Sequence, residues 1–143
     1  MTKIGIVGAG QAGLQLGMGL LSHGYEVIML SNLTGAQIGA GRVTSSQCMF
    51  DMARSHERAL GINFWDDACP PVDGIGFTLA GPNGEKLLDW AARLDAPAQS
   101  VDQRVKMPRW MDEFEKRGGE LRIVDAGIAE LEELARECDL VLV

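Results

Sequence analysis

Lys3-Ile4-Gly5-Ile6-Val7-Gly8-Ala9-Gly10-Gln11-Ala12-Gly13-Leu14 opens the chain with a short branched apolar run that passes directly into three spaced glycines. Lys3 to Val7 reads as a strand buried on both faces, because its apolar character is continuous rather than alternating. Leu14, Met18 and Leu21 then recur at helical spacing until His23-Gly24 closes the helix. Tyr25 to Leu30 is a second branched apolar strand. Residues 3–30 therefore form a βαβ unit with a right-handed crossover, and the expected fold class is α/β with a parallel sheet.

Glycine occupies 18 of 143 positions, so a GxGxxG match means little unless it lies between a strand and a helix. Here it does. Gly8 permits the tight turn, Gly10 lets the backbone approach a pyrophosphate, and Gly13 allows the helix to pack closely on the strand. The helix N-terminus adds unpaired N–H groups and the positive end of a dipole. Gly8, Ala9, Gly10, Gln11, Ala12 and Gly13 are thus assigned to a dinucleotide, in a Rossmann-type arrangement. Gly17 extends the small-residue face. The acidic residue that commonly binds a ribose diol is missing, since Ser31 and Asn32 stand at the end of the second strand. Either can hydrogen-bond a ribose hydroxyl, though more weakly than a carboxylate. No arginine follows at once to meet a 2′-phosphate, so NADP is not favoured.

The composition, 46% apolar, 23% charged and 6% aromatic, is that of a globular domain. A net charge of −7 with no long basic run excludes non-specific nucleic-acid binding as an expectation. Cys48, Cys69 and Cys138 contain no CxxC pair, and His23 and His56 are the only histidines, so neither a metal site nor a disulfide framework is expected. The apolar start is broken by glycines and lacks a leader-peptide cleavage signal, and no apolar run is long enough to span a membrane. A reducing cytoplasm is the expected compartment.

Further along, Leu121 to Val124 and Leu140 to Val143 read as strands, with Ile128, Leu131, Leu134 and Ala135 marking a helix between them and Glu130, Glu132 and Glu133 in its first turn. Gly118-Gly119 ends a helix from about Arg104 to Lys116, with Val105, Trp110, Met111 and Phe114 facing inward and Pro108 in its first turn or at a kink. The span from Thr34 to Arg117 is far longer than a βαβ crossover requires. The expected organisation is a discontinuous Rossmann-type region at residues 1–33 and 118–143, with an inserted, incomplete β-rich substrate domain at 34–117. Within the insertion, Ser45 or Ser46 is expected to cap a helix from Gln47 to about Leu60, with Met49, Met52 or Ala53, and His56 on one face. Gly74 to Ala80, the Gly81-Pro82-Asn83-Gly84 turn and Glu85 to Ala91 read as a hairpin. Asp66-Asp67 near Cys69 reads as a solvated turn. Met49, Phe50, Met52, Phe64 and Trp65 suit a core better than an aromatic pocket, and Trp90 and Trp110 suit a core or an interface. The sequence stops within what reads as a buried strand, so the expectation is the front part of a longer enzyme, inactive alone.

The opening glycine motif, Gly41-Arg42, Val101-Asp102-Gln103-Arg104 with Pro108 and Met111, and Lys116-Arg117-Gly118-Gly119 together resemble styrene monooxygenases and their indole-oxidising relatives. The resemblance runs in order along essentially the whole chain and covers about the first third of such an enzyme. It implies a two-component monooxygenase. A separate flavin reductase would supply reduced FAD, and oxygen would be transferred to a small aromatic or alkene substrate. FAD is the implied cofactor, Arg42 and Arg104 are implied contacts of its phosphate or ribityl region, and Ser31 and Asn32 would lie by the adenosine ribose. The family tends to carry asparagine where Ser45 stands. No catalytic residue is assigned, because the cofactor carries the oxygen-transfer chemistry. A homodimer is allowed. Two other readings remain: an NAD-dependent dehydrogenase, which uses the same glycine loop, and a non-catalytic truncated module that binds nucleotide or a partner.

Overall fold

The computed structural model describes residues 1–45 and 47–143, so a helix cap at Ser46 lies outside the described residues. Its elements are β1 (Lys3–Val7), α1 (Gln11–Ser22), β2 (Glu26–Ser31), α2 (Gly35–Ala40), α3 (Asp51–Ala59), β3 (Val72–Ala80), β4 (Lys86–Ala98), α4 (Gln103–Lys116), β5 (Glu120–Ile123), α5 (Ile128–Glu137) and β6 (Leu140–Leu142). They divide into two compact units, one of residues 1–45 and 102–143, the other of residues 46–101. The boundaries expected from sequence lie instead at 33/34 and 117/118. The difference is α2 and α4, which pack on each other within the first unit.

The first unit is built on a parallel sheet of order β5-β2-β1-β6. In β2 every residue from Val27 to Ser31 is buried, which is why its apolar run is continuous. Ile28 and Leu30 face α5, where they pack with Leu134. Met29 points the other way, toward α1 and α4: a Cβ added at Gly17 would lie 2.9 Å from both Met29 Cε and Phe114 Cε2. The small residue at Gly17 thus brings α1 down onto the sheet. On the α5 face Gly5 has the same role, since a Cβ there would stand 2.7 Å from Leu134 Cγ.

α4 begins where Asp102 caps it, its carboxylate accepting from Arg104 N at 2.8 Å. The buried stripe is Gln103, Met107, Trp110, Met111 and Phe114. Val105 falls off this helical spacing and is 53% exposed, contrary to the sequence expectation, and Met107 takes the inward place. Pro108 lies in the second turn rather than the first, inside the helix. Its missing N–H leaves the Arg104 carbonyl without its usual helical donor. α2 covers this side of α4: Cβ atoms at Gly35 and Gly39 would lie 3.3 Å from Pro108 Cα and 3.6 Å from the Arg104 carbonyl oxygen. In α5, Glu130 Oε2 accepts from Gly127 N at 2.8 Å, closing the first turn. Leu131 and Leu134 turn inward, while Ile128 is exposed.

In the second unit the hairpin forms as its turn chemistry requires, Gly84 taking φ +81° and Gly81 N donating to Glu85 O at 2.7 Å. β4 continues to Ala98, beyond the expected Ala91. The helix before it is shorter than the periodicity implied. Met49 and Gln99 exchange backbone hydrogen bonds of 2.8 and 3.0 Å, which holds Met49 extended and delays α3 until Asp51, with Phe50 at its N-cap. Ser45 therefore does not stand at the start of this helix. The inward face of α3 is Ala53, Arg54 and Glu57, whereas Met52 and His56 are exposed. Arg54 explains the change of face: its guanidinium donates to Pro97 O at 2.7 Å and to Asp66 Oδ1 at 2.9 Å. Asp66 and Asp67 lie in the expected turn and Asp67 is exposed, but Asp66 is half-buried as the ion-pair partner of Arg54. Burial raises the Asp66 carboxyl pKa, but hydrogen bonds from Asn63 and Arg54 outweigh this and leave it lowered.

Two outcomes follow from these contacts. Gly17→Val should lower the free energy of unfolding by about 1–3 kcal/mol in urea titrations, because Met29 and Phe114 must move to admit the side chain. The second concerns pH. Hydrogen bonds from Arg122, at 2.7 and 2.9 Å, hold the Glu137 carboxyl at a pKa of about 2. A depressed folded-state pKa contributes stability above the ordinary glutamate range that is lost as pH falls toward the folded value. Thermal midpoints should therefore drop between about pH 5 and pH 2, and less steeply in Glu137→Gln.

Candidate cofactor site

The turn after β1 is set by backbone geometry. Gly8 has φ +112°, a conformation that side chains oppose, and its N–H donates to Leu30 O at 2.9 Å, tying the turn to β2. Gly13 lies so close to this turn that an added Cβ would overlap the Gly8 carbonyl oxygen. Gly10 is the N-cap of α1, and the first intrahelical bond runs from Leu14 N to Gly10 O at 2.9 Å. A Cβ at Gly10 would meet nothing within 4 Å, and its φ of −85° is open to any residue. The packing of the chain itself therefore does not require glycine there. A group brought against the backbone would require it, and the first N–H groups of α1, which lie too early in the helix for an intrahelical acceptor, would face such a group. No acidic side chain stands in the first turn of α1 to compete for these donors. The cradle fits a pyrophosphate.

The flanking residues differ in what they offer. Ser31 is 6% exposed and its hydroxyl is engaged locally, donating to Leu33 O at 2.7 Å and accepting from Leu33 N at 3.3 Å. Its register partner in β5 is Ile123, and Val124 N donates to the Ser31 carbonyl at 2.8 Å. Asn32, next in sequence, is exposed. Thr34 caps α2 with a reciprocal pair, its hydroxyl accepting from Gln37 N at 3.2 Å and its N–H donating to Gln37 Oε1 at 2.8 Å. Arg42 lies just beyond α2 and is exposed.

Arg104 is paired at close range. Its Nε and a terminal nitrogen reach Asp102 at 3.1 and 2.7 Å, in a forked arrangement that raises the Arg104 pKa and lowers that of Asp102. Beside it, Gln103 Nε2 donates to Gln11 Oε1 at 3.1 Å. That bond joins the glycine turn to the first residue of α4. In the sequence Gln103 stands out only as part of a motif, without a role of its own, and nothing there pairs two glutamines so far apart. Of the aromatic residues considered in the second unit, Phe50, Phe64 and Trp90 are all exposed, Trp90 against Phe77 at a ring separation of 6.4 Å, and Met52 is 79% exposed. Trp110 is fully buried in the first unit. Among the described residues no cluster of three or more histidine, cysteine, aspartate and glutamate side chains is placed to hold a metal ion.

No protein-family model matches the chain. It is 30% identical to a styrene monooxygenase of Pseudomonas fluorescens over 143 residues, 99% of this chain and 33% of that protein. A styrene monooxygenase from another Pseudomonas is 30% identical over 141 residues, again 99% of this chain and 33% of the relative. The chain thus spans about a third of the length of the curated relatives it matches. Among solved structures, the flavin-dependent halogenase CmlS superposes with a TM-score of 0.67 at 20% identity, over 85% of this chain and 22% of that one. The p-nitrophenol 4-monooxygenase of Pseudomonas putida DLL-E4 gives a TM-score of 0.59 at 16% identity, over 85% of this chain and 32% of that one. These likenesses establish the fold.

The different roles of Ser31, the last residue of β2, and Asn32, just after it, are separable by substitution. Ser31→Ala should cost about 1 kcal/mol of stability, the worth of an ordinary hydrogen bond, because Leu33 loses its partner. Asn32→Ala should leave the melting temperature within about 1 °C of the parent, as exposed substitutions usually do. Parallel thermal melts of the two variants check this.

Proposed function

We infer that this chain, which is similar along its whole length to the first third of styrene monooxygenases, forms the FAD-binding part of a flavin-dependent monooxygenase. The observation that carries the reading is Gly10, a glycine with open space before it and no steric need of its own, set at the N-terminus of α1. When bound in reduced form, FAD supplies the electrons that activate oxygen for transfer to the substrate.

The chain's own contribution is binding and orientation. The N–H groups at the start of α1 would hold the pyrophosphate, and the positive end of the helix dipole would favour its charge. Asn32 is better placed than Ser31 to meet the adenosine ribose, since the Ser31 hydroxyl already serves Leu33. Arg42 would bring a cation to the phosphate or ribityl region. Arg104, neutralised by Asp102, would contribute hydrogen-bond donors rather than net charge. With no carboxylate at the end of β2, adenosine would be held loosely, which suits a cofactor that arrives reduced from a separate flavin reductase and leaves oxidised. The substrate would be a small aromatic or alkene compound, and three free thiols suit a reducing compartment such as the cytoplasm.

Titration of the purified chain with oxidised FAD, with reduced FAD under argon and with NADH, followed by flavin and tryptophan fluorescence, tests the reading. Saturable binding of FAD without binding of NADH is the expected result, and binding of NADH alone would overturn it. Gly10→Ala sharpens the test. It should shift the thermal midpoint only slightly, since nothing in the fold opposes the methyl group and the lower entropy of the unfolded chain offsets alanine's weaker place at an N-cap. Its affinity for FAD should fall by about tenfold or more, equivalent to losing one or two backbone hydrogen bonds to the phosphate.

A further inference from the structure

Gln11 is the first residue of α1, and side chains at the start of a helix lean back toward its N-terminus. Its carboxamide therefore lies on the side from which a phosphate would approach the N–H groups of this turn. The carboxamide is held by Gln103, whose Nε2 donates to Gln11 Oε1 at 3.1 Å. Gln103 is itself 7% exposed, so this contact forms where water competes poorly. It is also the first residue of α4, immediately after the Asp102 cap and beside the Asp102–Arg104 pair. Two neighbouring polar contacts thus stand at the start of α4, one capping the helix and the other tying it to the start of α1.

Resting on the cofactor reading above, we propose that Gln103 is a positioning residue for the pyrophosphate-binding turn. It acts through the orientation of Gln11. A carboxamide is free to rotate about its terminal bond and can present either its oxygen or its NH2 to a neighbour. With its oxygen committed to Gln103, Gln11 is fixed with the amide nitrogen on its other side, and the first turn of α1 is held to α4 at the point where an anion would bind. Binding sites depend on such support, because a group that must be ordered at the moment of binding weakens the complex.

The test is a double-substitution cycle with Gln103→Leu, Gln11→Leu and both together, measuring dissociation constants for FAD, ADP and riboflavin. Gln103→Leu should weaken FAD and ADP alike by about three- to tenfold and leave riboflavin, which lacks the pyrophosphate, unchanged. In the Gln11→Leu background the same substitution should have little further effect, because the two residues act as one unit. Gln103→Glu keeps the size and polarity of the side chain but cannot donate to Gln11, and should weaken FAD at least as much. It also carries the test should Gln103→Leu fail to fold, as thermal melts without ligand will reveal. Equal losses of FAD affinity in both backgrounds, or a loss for riboflavin as large as that for FAD, would overturn the proposal while leaving the cofactor reading intact. Failure of the unsubstituted chain to bind either FAD or ADP would overturn both.

Discussion

The closeness of α1 to the sheet is the constraint on which the first unit depends. Gly13 stands against the Gly8 carbonyl with no room for a side chain, and Gly17, one turn further on, admits Met29 and Phe114 into the space a larger residue would fill. The first contact fixes where the helix begins, and hence where its first N–H groups point. The second fixes how α4 lies against it. A helix lifted by even one methyl group would lose both the packing of Met29 and the alignment of the turn after β1, since interiors are packed too densely to absorb the change.

α4 transmits that constraint to the rest of the unit. Its buried stripe packs Trp110, Met111 and Phe114 inward, and Lys106 places its ammonium 4.5 Å from the centre of the Trp110 ring. α2 closes over the Pro108 side, where Gly35 and Gly39 permit close approach. The helix interior therefore tolerates a proline because the neighbouring element is shaped for it. Asp102 performs two tasks at once, capping the helix and pairing with Arg104, so the charge that the family resemblance directs toward FAD is already half engaged.

The second unit follows a different logic. Its helix is short and is held by polar contacts, with Arg54 joining α3 to Pro97 and Asp66. The Arg54 Nε is buried without a partner among the described residues, a cost offset by its two other hydrogen bonds. The hairpin presents Ile75, Phe77, Leu79, Leu88 and Trp90 on one face by its register, all of them exposed. Alternation along β3 is clear in the sequence, but it states only that two faces differ, not what covers either.

Local chemistry makes much of this protein legible in its sequence alone. The βαβ unit, the GxGxxG turn, the Pro-Asn-Gly hairpin and the helix before Gly118 all rest on short-range rules, in which a residue's own backbone preference or its neighbours at helical spacing decide the outcome. Tertiary structure decided the rest. α3 begins at Asp51 because Met49 pairs with Gln99, Val105 is exposed because the α4 stripe is set by what it packs against, and the Ser31 hydroxyl is engaged locally because the Leu33 backbone takes it. The Gln11–Gln103 bond belongs to the same class. Each is a choice among partners that local preference leaves nearly equal in energy, and only the folded chain brings the winning partner within reach.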